Sequence, residues 1–236
     1  MIPLRKPDDL LAWVDTAFGH VFLHPALCQA AVTHRSAGSD HNERLEFLGD
    51  SILNCSVARL LYDAHPRADE GALSRFRARL VSGETLAQIA GDLSLGEHLR
   101  LGPGELKTGG FRRASILADA LEAILGAIFL DSGFDAAAAA VARIMASRMS
   151  DLPAAGLLKD PKTRLQEALQ AHGLALPVYT LTGATGDPHV QSFTVSCEVP
   201  VFGLVAVAEG GSRRRAEQLA AAKLLDLLPP EMRKPA

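Results

Sequence analysis

The chain has 236 residues, enough for one large domain or two smaller ones, and its 48% hydrophobic content excludes a globally disordered protein. Its formal net charge of −3 does not by itself indicate a nucleic-acid binder, and its three isolated cysteines exclude a disulfide framework and a cysteine zinc site. No apolar run reaches the length of a membrane span, and the first residues lack the layout of a signal peptide, so we expect a cytoplasmic protein without membrane contact.

Most of the N-terminal part follows a helical pattern, with apolar residues three and four positions apart and little β-branched alternation. The stretch MSDLPAAGLLKDP at 149–161 has the proline, glycine and small residues of a linker. We therefore predict an all-α domain at 8–150 with its core at about 10–133, a linker at 151–158 and a second domain at 159–230.

The segment NERLEFLGDS at 42–51 combines an apolar stripe with three carboxylates. On a helix, Glu43, Glu46 and Asp50 fall within an arc of roughly 60° beside that stripe. A solvated acidic face is the simplest interpretation, but like charges three and four residues apart repel, and no lysine or arginine of the segment lies within the arc. Gly49 interrupts the helix, which indicates that another element packs closely there.

The stretch LKTGGFRR at 106–113 is basic and rich in glycine. It lacks the glycine that precedes the lysine in a nucleotide-binding P-loop, so we expect no nucleotide cofactor. A basic surface loop is one interpretation. The alternative that we favour is contact of Lys107, Arg112 and Arg113 with a phosphate backbone.

The segment SILADALEAILGAIFL at 115–130 is apolar on nearly every side, which is typical of a buried helix. It nevertheless carries Asp119 and Glu122, which are three residues apart and therefore share a face. An unpaired buried carboxylate is strongly unfavourable, so the pair must meet either buried lysine or arginine or a bound cation.

Two acidic helices with the same requirement favour the cation. Four or five carboxylates that converge between helices would repel one another without counter-charge. Oxygen ligands without cysteine favour Mg²⁺ or Mn²⁺ over zinc, and Mg²⁺ commonly binds substrate phosphates as well. The pattern therefore indicates metal-assisted phosphodiester chemistry.

The C-terminal part predicts the order α-β-β-β-α. A short amphipathic helix ends at Gly173, three alternating segments follow, and a second helix begins after Ser212, its predicted N-cap. The run Arg213, Arg214 and Arg215 opposes the helix dipole at this N-terminus, which is tolerated where an anion such as a phosphate backbone binds.

The segments HNERLEFLGDSIL and SILADALEAILGAIFLDSG resemble the signature and the second acidic helix of bacterial ribonuclease III. The resemblance extends over essentially the whole chain. It implies a multidomain fold, with an all-α endonuclease domain followed by an α+β double-stranded-RNA-binding domain.

The resemblance also implies roles for the acidic residues. Three match the direct metal ligands of the family: Glu46, Asp119 and Glu122. Asp50 matches the catalytic aspartate that orients the attacking water, and Glu122 is assigned to catalysis as well as to metal binding. Glu43 and Glu70 match supporting acidic positions.

For the second domain, the resemblance implies contacts with double-stranded RNA. Thr163, Gln166 and Glu167 match the first minor-groove reader, although helix capping is an alternative role for Thr163. His189 matches the loop that reaches the next minor groove. Arg213 and Arg214 replace the usual lysines of the phosphate-clamping helix, which keeps the charge.

Phe47 lies away from the apolar stripe of its helix, where a single exposed aromatic residue usually has no special role. The resemblance implies a two-fold homodimer whose interface includes this helix, so we predict that Phe47 inserts into the partner subunit.

The resemblance implies a Mg²⁺-dependent endoribonuclease, with Mn²⁺ as a substitute, that hydrolyses double-stranded RNA to 5′-phosphate products with staggered ends. It further implies roles in rRNA processing and mRNA turnover. One or two metals per site remain open. The alternatives are a non-catalytic RNA-binding scaffold, which the intact acids disfavour, and a metal-buffering helical protein, which leaves the arginine run unexplained.

Overall fold

The N-terminal part of the chain folds as helices, as the apolar spacing predicts. The structure is a computed structural model that describes residues 7–152, 160–186 and 191–232. The chain divides into two compact units, residues 1–153 and 154–236. The helices of the first unit are α1 Pro7–Phe18, α2 Pro25–Ala31, α3 Glu43–Ala64, α4 Glu70–Leu80, α5 Gly83–Asp92, α6 Pro103–Lys107 and α7 Ala114–Ser150.

Helix α7 forms the centre of this unit. Its residues from Ile116 to Ile128 are buried apart from Asp119 and Glu122, which are partly buried, so the segment is a core helix as predicted. The helix is broken at Gly133, whose φ of 83° and ψ of −176° suit glycine alone. Sequence periodicity did not predict this break.

Helices α3 and α7 cross with their backbones in contact. A Cβ atom at Gly49 would lie 1.8 Å from the carbonyl oxygen of Glu122, and one at Gly126 would lie 2.2 Å from the carbonyl oxygen of Leu45. Only glycine permits such an approach. The prediction that another element packs against Gly49 is confirmed, and this crossing sets the distance between the two acidic segments.

Asp131 anchors the loop before α2 to helix α7. Its carboxylate is shielded from solvent and accepts hydrogen bonds from the amides of Leu23 and His24, at 3.0 and 2.8 Å. Ring nitrogens of His20 and His24 each lie 3.0 Å from it. Burial alone would raise the pKa of Asp131, but these hydrogen bonds hold it well below its ordinary value.

The second unit packs two helices on one face of a three-stranded sheet. The elements are α8 Pro161–Gln170, β1 Val178–Thr185, β2 Ser192–Val199, β3 Leu204–Gly210 and α9 Arg213–Leu227. The strands are antiparallel in the order β1-β2-β3. The predicted α-β-β-β-α order and the all-α fold before it are therefore confirmed.

The predicted end of the first helix of this unit and the predicted N-cap of the second are also confirmed. Gly173 has a φ of 67°, as expected after a helix end. The Ser212 hydroxyl accepts the amide of Arg215 at 3.2 Å, as expected of an N-cap. Leu165 and Leu169 of α8 pack with Leu224 of α9 in the unit's core. Residues 153–158 of the predicted linker lie outside the described residues.

Within the three described ranges, no helix combines the length and the apolar character that crossing a bilayer would require.

Candidate active site

Carboxylates from α3 and α7 converge beside the glycine crossing. One oxygen from each of Glu46, Asp119 and Glu122 lies within 4.8 Å of the other two. We call these three residues the acidic cluster. Glu46 lies one turn before Gly49, and Glu122 contributes the carbonyl that Gly49 contacts, so the crossing brings the two acidic segments together.

The acidic cluster is electrostatically strained in the absence of a cation. Burial, together with the charges of Asp50, Glu46 and Asp119, raises the pKa of Glu122 to about 8. Burial likewise raises the pKa of Glu46, with Asp119 and Glu43 contributing. Charged carboxylates at this spacing require a counter-charge.

The donor set fits a hard divalent cation. The acidic cluster supplies carboxylate oxygens alone, each residue is partly buried, and the oxygens lie close enough together to coordinate one ion. A raised pKa in each residue is the expected state of a metal site before its cation binds. This arrangement favours the cation over the buried ion pair that the sequence left open.

Asp50 lies beside the acidic cluster rather than within it. Its carboxylate is exposed and close enough to raise the pKa of Glu122. Asn54, one turn later on α3, donates its side-chain amide to Asp50 Oδ1 at 2.9 Å. A held, solvent-facing carboxylate next to a metal site can orient a water molecule.

The two supporting acids lie outside the acidic cluster. Glu43 is exposed and forms an ion pair with Arg35 at 3.1 Å. Glu70 begins α4, where its carboxylate accepts the hydroxyl of Ser74 at 2.7 Å. The structure therefore brings together the predicted ligands and Asp50, with Glu43 near enough to Glu46 to raise its pKa and Glu70 bonded within α4.

The basic loop before α7 is partly held by its own contacts. Arg113 forms an ion pair with Glu105 at 2.6 Å. The guanidinium carbon of Arg112 lies 5.0 Å above the ring of Phe111. Lys107 is exposed at the end of α6. The contacts predicted between these three residues and a phosphate backbone stay a prediction. Arg113 would have to exchange its ion pair with Glu105 for a phosphate.

The predicted RNA-binding residues of the second unit lie on its surface. Thr163, Gln166 and Glu167 are exposed, on the side of α8 away from buried Leu165. Asp160 caps α8 by accepting the amide of Lys162 at 2.8 Å, so capping does not account for Thr163. His189 lies outside the described residues.

The carboxylate of Glu217 is shared by two cations, Lys162 of α8 and Arg213 at the start of α9. Glu217 accepts Lys162 Nζ of α8 at 2.6 Å and Arg213 Nε at 3.0 Å. These hydrogen bonds, that of Lys162 first, hold the pKa of Glu217 below its ordinary value against the effect of burial. Arg214 and Arg215 are exposed beside them. Three exposed arginines at a helix N-terminus form a suitable surface for phosphate.

Sequence reasoning missed several residues near the acidic cluster. His34 and Arg35 oppose the rise in the pKa of Asp119 that burial causes, and the side-chain amide of Asn54 donates a hydrogen bond to Asp50. His34 and Arg35 lie outside both acidic helices, so helical periodicity carries no signal for them. The contact of Asn54 with Asp50 could have been predicted, because residues four apart on a helix lie on the same face.

Family models match both units. The first matches a ribonuclease-III-like model over residues 24–149, and the second matches the double-stranded RNA binding motif over residues 161–228. A curated ribonuclease 3 from Thiobacillus denitrificans is 57% identical over 210 residues, which is 89% of this chain and 93% of that protein.

Two solved structures of the nuclease domain of Campylobacter jejuni ribonuclease III are also similar. One is 37% identical and has a TM-score of 0.57, over 61% of this chain and 98% of that chain. The other is 38% identical with the same TM-score of 0.57, over 59% of this chain and 99% of that chain. The second structure concerns flexibility in a region involved in dimer formation of that protein.

Proposed function

The chain belongs to the ribonuclease III family of endoribonucleases, and from this premise we propose that it hydrolyses phosphodiester bonds in double-stranded RNA with Mg²⁺ bound at the acidic cluster. The observation that carries the proposal is the convergence of Glu46, Asp119 and Glu122 from two helices within 4.8 Å. An unrelated helical protein has no reason to bury like charges together.

Glu46, Asp119 and Glu122 would hold the cation, Mg²⁺ or in its place Mn²⁺. When bound, the cation supplies a Lewis acid for the phosphoryl oxygens and lowers the pKa of a coordinated water. Asp50 orients the attacking water by accepting its hydrogen bond, and the amide of Asn54 fixes the Asp50 carboxylate for this role. Glu43 and Glu70 support the site from outside the acidic cluster.

The second unit binds the duplex. Thr163, Gln166 and Glu167 on α8 contact the minor groove, and Arg213 and Arg214 at the start of α9 contact phosphates. The match to a double-stranded RNA binding motif supports this assignment. Lys107, Arg112 and Arg113 of the first unit, and His189, are proposed as further RNA contacts.

Phosphate binding by α9 can be tested with the double variant Arg213→Ala/Arg214→Ala. We expect weaker duplex binding and a slope of log K against log salt that is smaller in magnitude by about 1 to 2. The reason is that binding through fewer phosphate contacts releases fewer counterions. The measurement is a binding titration at several salt concentrations without divalent cation. The control is Lys223→Gln, an exposed cation near the other end of α9, which should leave the slope unchanged. An unchanged slope in the double variant would remove these arginines from the interface.

A homodimer is part of the proposal. Phe47 on α3 is 78% exposed, although it is a large aromatic residue. Burial of this side chain against a second subunit would remove it from water. A two-fold dimer would present one acidic cluster to each strand of a duplex, which accounts for a cut in each strand and allows the two cuts to be staggered. The 5′-phosphate ends follow from departure of the 3′ oxygen at each cut.

The variant Phe47→Ala should shift the protein toward monomer in sedimentation velocity, with a dissociation constant about 10-fold or more weaker. The matched control is Phe202→Ala, which removes an aromatic residue that is 38% exposed in the second unit. An unchanged dimer in the first variant would remove Phe47 from the interface.

One gel tests the proposed function. A perfect RNA duplex and a single strand of the same sequence are incubated with the protein, with and without Mg²⁺ or Mn²⁺. Cleavage of the duplex alone, and only with the cation, is the expected result. Binding without cleavage under every condition would favour the RNA-binding scaffold instead.

We extend the proposal to a cytoplasmic location and to roles in rRNA processing and mRNA turnover. These assignments rest on the family alone, since the acidic cluster and the RNA-binding surface specify the chemistry and not the transcript.

A further inference from the structure

A turn outside the two acidic helices, at residues 34–37, brings positive charge to the acidic cluster. His34 and Arg35 follow α2, and Asp119 lies on α7. Arg35 Nη1 lies 3.1 Å from Glu43 Oε1, and Glu43 precedes Glu46 by one turn of α3, so the turn lies against the acidic face of that helix. In agreement with this position, the charges of His34 and Arg35 oppose the rise in the pKa of Asp119 that burial causes.

The turn is held rigidly by hydrogen bonds to a distant segment. The amide of His34 donates to the carbonyl of Arg100 at 3.0 Å, and the amide of Gly102 donates to Ser36 Oγ at 2.9 Å. A Cβ atom at Gly102 would lie 2.1 Å from the carbonyl oxygen of Ser36, so the two segments are in backbone contact. This framework fixes where the turn lies relative to α3 and α7.

Ser36 also determines which nitrogen of His34 carries the proton. The Ser36 amide donates to His34 Nδ1 at 3.2 Å, and the Ser36 hydroxyl lies 2.8 Å from the same nitrogen. Because Nδ1 accepts a backbone N–H, the neutral ring carries its proton on Nε2. The imidazole is therefore held as a hydrogen-bond donor on the side away from Ser36.

Arg35 is available to a ligand. Its side chain is 70% exposed, and its ion pair with Glu43 is also exposed to solvent on both sides. Such a pair contributes little to stability, so exchange of Glu43 for another anion is easy. A phosphate offers the guanidinium a planar pair of acceptors.

We propose that His34 and Arg35 bind the non-bridging oxygens of the RNA phosphodiester at the acidic cluster, His34 through Nε2–H and Arg35 through its guanidinium. This inference rests on the proposed nuclease function. Ionised carboxylates only accept hydrogen bonds, so the acidic cluster and Asp50 offer a phosphate no donor of their own. The turn that carries His34 and Arg35 supplies hydrogen-bond donors beside these carboxylates. The charge of Arg35 also neutralises part of the negative charge that the phosphate would otherwise meet.

The test compares His34→Ala with His34→Gln, and Arg35→Gln with Arg35→Lys, in the full-length protein. His34→Ala and Arg35→Gln should each lower the single-turnover rate on a saturating RNA duplex by about 10- to 100-fold. His34→Gln should recover part of the rate, because its amide can donate from near the position of Nε2. Duplex affinity without divalent cation should change little, because the second unit supplies most of the binding.

A second measurement separates phosphate contact from a structural role. The Mg²⁺-dependent rise in melting temperature should be the same in His34→Ala as in the wild type. Sulfur in place of a contacted non-bridging oxygen at the cleaved phosphate should slow the wild type and have a smaller effect on His34→Ala, because the two changes remove one interaction. The control Arg59→Gln breaks another exposed ion pair, with Asp63, further along α3 and should cleave normally.

Unaltered cleavage by both His34→Ala and Arg35→Gln would overturn the inference, as would loss of the Mg²⁺-dependent stabilisation or equal sulfur effects in the two proteins. A wild type that fails to cleave the duplex would instead overturn the proposed function.

Discussion

Replacing Glu122 with glutamine should abolish cleavage, by about 10³-fold or more, while duplex affinity in the absence of divalent cation stays within about twofold. Glutamine keeps the shape of the side chain but removes the charge at the most electrostatically perturbed member of the acidic cluster. The RNA-binding unit is separate in the chain and is not altered. Single-turnover cleavage and a binding titration of the same protein check both parts.

Without metal, Glu122→Gln should also make the unfolding free energy depend less on pH than it does in the wild type. The pKa of Glu122 is raised from 4.5 to about 8 in the folded protein. Because the folded value lies above the unfolded one, the stabilisation from protonation is fully present below about pH 4.5 and is lost as the pH rises through about 8. Glutamine has no proton to lose. As the pH rises from about 4.5 to about 8 in chelator, the unfolding free energy of the wild type should therefore fall by about 2–4 kcal/mol more than that of the variant. This range is smaller than the full pKa shift implies, because solvent screens part of the interaction at a partly buried site.

Fluorescence of Trp13 reports this difference for the N-terminal unit alone. It is the single tryptophan of the chain, and its indole donates to the carbonyl of Leu93 at 2.9 Å. Added Mg²⁺ should stabilise the wild type much more than the variant. The control Glu84→Gln changes an exposed acid of α5. If Glu122→Gln cleaves normally, or loses RNA binding to the same extent as cleavage, Glu122 is not a metal ligand.

Replacing Gly49 with alanine should destabilise the N-terminal unit by about 3 kcal/mol or more and remove activity with it. The added methyl group would lie 1.8 Å from the backbone oxygen of Glu122, which no rotamer change can relieve. The two helices would have to separate, which would move Glu46 away from Asp119 and Glu122. Urea unfolding followed by Trp13, together with a cleavage assay, measures both consequences.

Gly91→Ala is the matched control for this change. Gly91 is also a helical glycine, in α5, but a Cβ atom there would meet nothing within 4 Å. Alanine should therefore stabilise this helix by up to about 1 kcal/mol. If Gly49→Ala were as stable and active as Gly91→Ala, α3 and α7 would not cross as described.

The acidic helices were predictable because their chemistry conflicts with their surroundings. Asp119 and Glu122 occupy a helix that is otherwise apolar, and only a partner for their charge resolves that conflict. Gly49 carried the matching signal, a helix breaker inside a strong pattern. The strands of the second unit followed from alternation, with Ser212 and Gly173 marking the helix ends that the structure shows.

What escaped prediction depends on contacts between distant segments. His34 and Arg35 approach the acidic cluster only because their turn is bonded to Arg100 and Gly102, far along the chain. The break at Gly133 follows an uninterrupted helical pattern, so periodicity gave no warning of it. Arg113 is predicted as an RNA contact from its charge alone, whereas Glu105 binds it within its own loop.

The glycine crossing also limits which substitutions could compensate for one another. A clash between two side chains can be relieved by trimming the second, but here each glycine faces a carbonyl oxygen, which every amino acid carries. No suppressor on α7 could therefore rescue a larger residue at position 49. New specificities in this scaffold would have to come from the surrounding loops, while the two crossing positions stay fixed.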